Sequence, residues 1–126
     1  MLKVRDLMHH GDAIPRVTPQ ASLHDTILEM TSKKLGMTAV VDGTGRLAGV
    51  ITDGDLRRFL ERGDDLTSVR AKDLATGHPK VIGPDELAAS AVKTMEQFSI
   101  TSLIVLEGGA LVGIIHLHDL LKSGVV

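Results

Sequence analysis

The sequence contains no cysteine, tryptophan or tyrosine. Without cysteine there is no disulfide framework and no thiol chemistry. Phe59 and Phe98 are the only aromatic residues, so aliphatic side chains must pack the core, and no aromatic platform exists for stacking single-stranded nucleic acid. Neither sign of charge dominates. Fourteen basic and 16 acidic residues give a formal net charge of −2, which leaves no basic footprint for DNA or RNA. No apolar run approaches the roughly 18 residues that a membrane helix needs, and the opening MLKVRDLMHH is not a secretory signal. The expectation is a cytoplasmic protein of one ordinary domain or two very small ones, with 43% apolar residues to build a core.

What is present is a duplication. IPRVTPQASLHDTILEM (14–30) leads into GMTAVVDGTGRLAGVITDGDL (36–56), and HPKVIGPDELAASAVKTM (78–95) leads into ITSLIVLEGGALVGIIHLHDL (100–120). Pro15 aligns with Pro79, Val17 with Val81, Leu23 with Leu87, Thr38 with Thr101, Gly49 with Gly113 and Asp55 with Asp119. A related short stretch precedes each copy, VRDLM at 4–8 and AKDLA at 71–75.

Each copy reads as β-α-β-β-α. A short β-prone piece (14–17, 80–82) is followed by a helical pattern, with Leu23, Ile27, Met30 and Thr31 in the first copy and Leu87, Ala91, Val92 and Met95 in the second. Ser22 and Asp85 are the expected helix caps. Two strands then flank a tight turn: 38–41 and 47–51 around DGTG, 102–106 and 111–115 around EGGA. A last helix starts near Asp53 or Gly54 and runs towards Gly63; its counterpart spans 118–122. A unit of about 60 residues cannot cover both faces of its own sheet. The expected fold class is therefore α/β (α+β): tandem repeats, 1–63 and 64–126, packed sheet to sheet about a pseudo-two-fold axis.

A tandem β-α-β-β-α repeat whose second hairpin strand ends in GVITDGDL (49–56) resembles the cystathionine-β-synthase (CBS) domain pair, or Bateman module. The strings at 36–58 and 100–126, with TDGDLRR and HLHDLL as their most specific parts, resemble the C-terminal CBS pair of D-arabinose-5-phosphate isomerases. The resemblance implies a non-catalytic regulatory module that binds nucleotides. It further implies a sugar-isomerase domain as partner in the parent protein, where ribulose 5-phosphate becomes arabinose 5-phosphate for Kdo and lipopolysaccharide synthesis. The chain is then expected to be an excised fragment beginning at an introduced Met1.

Two readings stand for Thr52 and Asp55. A hydroxyl at a strand end and a carboxylate in the first helical turn can face one cleft, where the carboxylate accepts a ribose diol and helix N–H groups favour phosphate. In the other reading Asp53 or Asp55 simply caps the helix. The CBS resemblance assigns the threonine and aspartate to ribose or phosphate oxygens. Asp119 is retained in the second copy, but His116 stands where the first has Thr52, so the two sites are expected to be chemically unequal. His116 and His118 share the spacing of a metal pair on a strand, yet only Asp119 is near enough in sequence to join them, and His118 also reads as an exposed helix-start residue. No metal site is expected. Asp53 and Asp55 lack the nucleophile or oriented third group that acid–base catalysis requires, so no catalytic residue is assigned.

Arg57 and Arg58 read either as a solvated face or, for Arg57, as a contact to an anion at the helix start. His9 and His10 fall in a loop without a partner, and His24 faces solvent. By the resemblance, Thr18, Met37 and Ala39 would line the apolar part of a base pocket, with Ile82, Thr101 and Leu103 as loose equivalents. Two regulatory ligands compete: an adenine nucleotide (AMP or ATP), and CMP-Kdo, whose acidic sugar His116 would contact. A third reading makes the module an assembly device, a homodimer through its helices.

Overall fold

In a computed structural model that describes residues 1–126, the chain forms two compact units, Pro15–Pro79 and a second that combines Met1–Ile14 with Lys80–Val126. The first unit contains β1 (Arg16–Val17), α2 (Leu23–Lys33), β2 (Met37–Val41), β3 (Leu47–Thr52), α3 (Asp53–Arg62) and α4 (Ala71–Leu74). The second contains α1 (Val4–Leu7), β4 (Val81–Ile82), α5 (Ala88–Phe98), β5 (Ser102–Glu107), β6 (Ala110–His116) and α6 (Leu117–Ser123). The order β-α-β-β-α read from the sequence is therefore present twice.

Each unit has a three-stranded sheet, in the orders β1-β2-β3 and β4-β5-β6. In both, the short first strand runs parallel to the middle one and the hairpin is antiparallel. Each hairpin carries a register shift at the corresponding place, Val40/Val41 and Val105/Leu106. This register corrects one alignment. Thr38 faces Ile51 and Leu103 faces Ile115, so Leu103 is the counterpart of Thr38, and Thr101 lies ahead of β5. Shared residue type suggested the Thr38–Thr101 match; backbone pairing decides otherwise.

The caps explain where the helices start. Ser22 Oγ accepts from Asp25 N–H at 3.1 Å and begins α2. Asp85, expected to cap α5, does not. That helix begins after Leu87, too far along for the Asp85 carboxylate, which instead binds Arg5 at 3.2 and 3.3 Å. A free N–H at the start of α5 is satisfied by the chain terminus: Ala88 N–H donates to Leu2 O at 2.9 Å.

The short helices that precede the two repeats pack in an exchanged way. α1 lies against α5, α6 and β6, whereas α4 lies against α3 and β3. Each thus joins the repeat that it does not directly precede. Val4 is fully buried in the core of the second unit with Ala91, Leu103, Val105, Ile115 and Leu120. Ala71 and Leu74 are buried with Met30, Val40, Ile51 and Phe59 in the first. Both cores are aliphatic apart from Phe59. No helix is long and apolar enough to cross a membrane.

Candidate functional site

Two equivalent corners, each where a hairpin strand turns into a helix, gather the polar residues. In the first, Thr52 is the N-cap of α3. Its Oγ1 accepts from Asp55 N–H at 3.2 Å and donates to Asp55 Oδ2 at 3.0 Å, while Thr52 N–H reaches the same oxygen at 2.8 Å. This reciprocal arrangement is a capping box, with the acidic residue at the third helical position. The second carboxylate oxygen, Oδ1, accepts from Arg58 Nη2 at 2.7 Å. Asp55 is mostly covered and Arg58 is open to solvent, 14% and 63% exposed by side chain, so the pair is weakly held. Capping and ligand binding are thus compatible in Asp55: Oδ2 is committed to the helix, and Oδ1 faces a displaceable cation.

Arg58 is the cation paired with Asp55, and Arg57 is exposed. Residues three apart share a helix face and residues two apart do not, so helical spacing already contained this signal. Asp53 does not share in the cap. It lies on the rim of an open groove of about 340 Å³ together with Ile27, Met30, Thr31, Lys34, Gly36 and Leu56.

At the second corner His116 is the N-cap of α6. Asp119 Oδ2 accepts from His116 N–H at 2.8 Å, repeating the backbone half of the box. The side-chain half differs. His116 Nδ1 accepts from His118 N–H at 3.0 Å, and the two rings stack with centroids 5.1 Å apart. An imidazole that uses Nδ1 as acceptor has no hydroxyl proton to give the carboxylate. Burial pushes the His116 imidazole below its ordinary value, assisted by repulsion from His118 and opposed by Asp119; a neutral ring is what an accepting Nδ1 requires. His9 takes the place left open. Its Nε2 lies 2.9 and 3.1 Å from the two oxygens of Asp119. The sequence offered no signal for this pair, because 110 residues separate the two positions.

Ile82 and Leu103 pack in the core of the second unit, and Ala39 and Met37 are also buried. Thr18 and Thr101 are exposed. The backbone carbonyl of Thr101 accepts from Leu117 N–H at 2.8 Å, which brings that loop to the second corner. No group of three or more His, Asp or Glu side chains is arranged to hold a metal ion.

Comparison with known proteins gives a consistent result. The family model described as "CBS domain" matches residues 4–62 and 71–125. Arabinose 5-phosphate isomerase KdsD of Yersinia pestis is 44% identical over the whole chain, which corresponds to 38% of that protein. The enzyme of the same name from Pseudomonas aeruginosa is 46% identical over 127 aligned residues, 39% of its length. The chain therefore spans well under half of the curated relatives it matches. Among solved structures, CBSX2 in complex with AMP superposes with a TM-score of 0.83 at 23% identity, covering 99% of this chain and 97% of that one.

Proposed function

Since the chain belongs to the CBS-domain family, we propose that it is the regulatory module of a D-arabinose-5-phosphate isomerase, sensing a nucleotide or nucleotide-sugar and controlling sugar-phosphate isomerisation in Kdo and lipopolysaccharide synthesis. The observation that carries this reading is identity of 44–46% to KdsD enzymes across the whole chain. The corner chemistry supports it. At each corner one aspartate sits at the start of a helix with an oxygen facing a displaceable partner, Arg58 or His9, the arrangement a ribose or sugar diol would exploit. The AMP complex of the fold neighbour supports an adenine nucleotide. At the second corner the free Nε2–H of a neutral His116 can donate a hydrogen bond to an acidic sugar such as that of CMP-Kdo. No cofactor is required for sensing, and the isomerisation itself belongs to the partner sugar-isomerase domain of the parent.

Calorimetry of the chain against AMP, ATP and CMP-Kdo tests the proposal. Binding by one of them, matched by a change in the isomerase rate of the full-length parent, is the expected outcome. Silence from all three would sink the sensor reading.

Exposed apolar side chains favour a second reading, assembly through the helices. Ile27 and Leu28 on α2 and Leu60 on α3 are 38%, 54% and 50% exposed, apolar side chains that a partner surface could cover. A homodimer covering them would lose mass by light scattering on Leu28→Glu. Asp55→Ala should instead abolish ligand binding at the first corner at unchanged mass; a change in mass alone would favour assembly.

A further inference from the structure

The segment before β1 is pinned onto the second unit by its backbone. His9 N–H donates to Ile114 O at 2.8 Å, and Ile114 N–H donates to His9 O at 3.0 Å. Gly113 makes the approach possible: a Cβ there would stand 2.5 Å from Met8 Sδ and 2.8 Å from His9 O. The first unit has the same device. Thr76 and Val50 exchange bonds of 2.8 and 3.1 Å, and a Cβ on Gly49 would stand 2.5 Å from Thr76 O. His9 and Thr76 therefore occupy equivalent places beside equivalent corners. Their side chains diverge: the imidazole of His9 spans both oxygens of Asp119, whereas the partners of Asp55 are Thr52 and Arg58 alone.

From this asymmetry we infer that His9 is a built-in occupant of the second corner, a latch on Asp119 that a ligand's hydroxyl pair must displace before it binds there. The inference rests on the reading of Asp119 as a ligand-binding carboxylate. A vicinal diol and the His9 Nε2–H compete for the same two oxygens, and the Asp119 side chain is only 18% exposed, with Oδ2 also held by His116 N–H. Binding at this corner therefore frees the His9 side chain, and the event is felt by the segment that carries it. Binding at the Asp55 corner moves only the side chain of Arg58. Occupancy of the two corners is distinguishable to the chain even when the ligand is the same.

The test uses His9→Ala and His9→Gln in the full chain, with Thr76→Ala as the matched control and matching thermal melts as the check on folding. AMP and CMP-Kdo are titrated by calorimetry into each protein. Removing the competitor should tighten binding at the second corner by roughly tenfold, with Thr76→Ala unchanged and Asp119→Ala without binding there. Unliganded His9→Ala should also show faster amide hydrogen exchange across residues 8–10, which ligand added to the wild type should reproduce. Unchanged or weaker binding by His9→Ala, with wild-type binding intact, overturns the latch alone. Absence of binding by wild type and variants alike overturns the sensor reading on which it rests.

Discussion

The Thr52–Asp55 and His116–Asp119 corners share a backbone and differ in chemistry. In each, a cap residue's N–H binds an aspartate three positions on, and a helix starts. A hydroxyl can donate and accept at once, so Thr52 closes the box by itself and leaves one oxygen to a solvent-facing arginine. An imidazole accepting through Nδ1 cannot also donate from that atom, so Asp119 turns to His9, far away in the chain. Two differences, Thr52 against His116 at the cap and Thr76 against His9 on the bridging segment, together change which segment of the protein the carboxylate holds. A duplicated fold acquires two different sites at little structural cost.

The largest effect that separates shared scaffold from unequal chemistry lies in the cores. Ile51 and Ile115 are both fully buried at equivalent places. Truncating either to alanine should cost about 2–5 kcal/mol, read by denaturant unfolding, and a large difference between them would break the equivalence of the two units. Next come the close approaches: Gly49→Ala and Gly113→Ala each drive a methyl into backbone, and each should lose about 1–3 kcal/mol. Because the Gly113 neighbours include the flexible Met8 side chain, the Gly49 change should be the more damaging of the two in paired thermal melts.

At the corners themselves, Thr52→Ala removes both the acceptor for Asp55 N–H and a donor to its carboxylate, and should cost about 1 kcal/mol of stability. His116→Thr should restore a self-contained box in the second unit and loosen His9, seen as faster exchange of its backbone amide. The smallest effect is on pH. His116 holds its proton less tightly folded than unfolded, so the unfolded state binds more protons as the pH falls. Stability present above the ordinary histidine value of about 6.5 is then eroded below it. Melts of wild type against His116→Thr between neutral and mildly acidic pH should show a shallower loss in the variant; equal slopes would remove His116 as the cause.

Much of the architecture is legible in local pattern. The hairpins follow from apolar runs around DGTG and EGGA, Ser22 caps its helix as its position suggests, and α3 starts at Asp53. Arg58 was also within reach, given the three-residue spacing on a helix. Asp85 misleads because a carboxylate near a helix start resembles a cap whatever its true partner, here Arg5 from the other end of the chain.

Local periodicity and residue type act over a few positions, and on those terms the sequence alone determines the duplicated β-α-β-β-α order, the aliphatic core and the aspartate common to both corners. Tertiary structure decides the rest. The exchange of α1 and α4, the replacement of Thr101 by Leu103 as the counterpart of Thr38, and the meeting of His9 with Asp119 all depend on backbone pairing between distant segments. Such pairing is governed by long-range hydrogen bonding and by space as small as a missing Cβ at Gly113, and neither leaves a periodic trace in the chain.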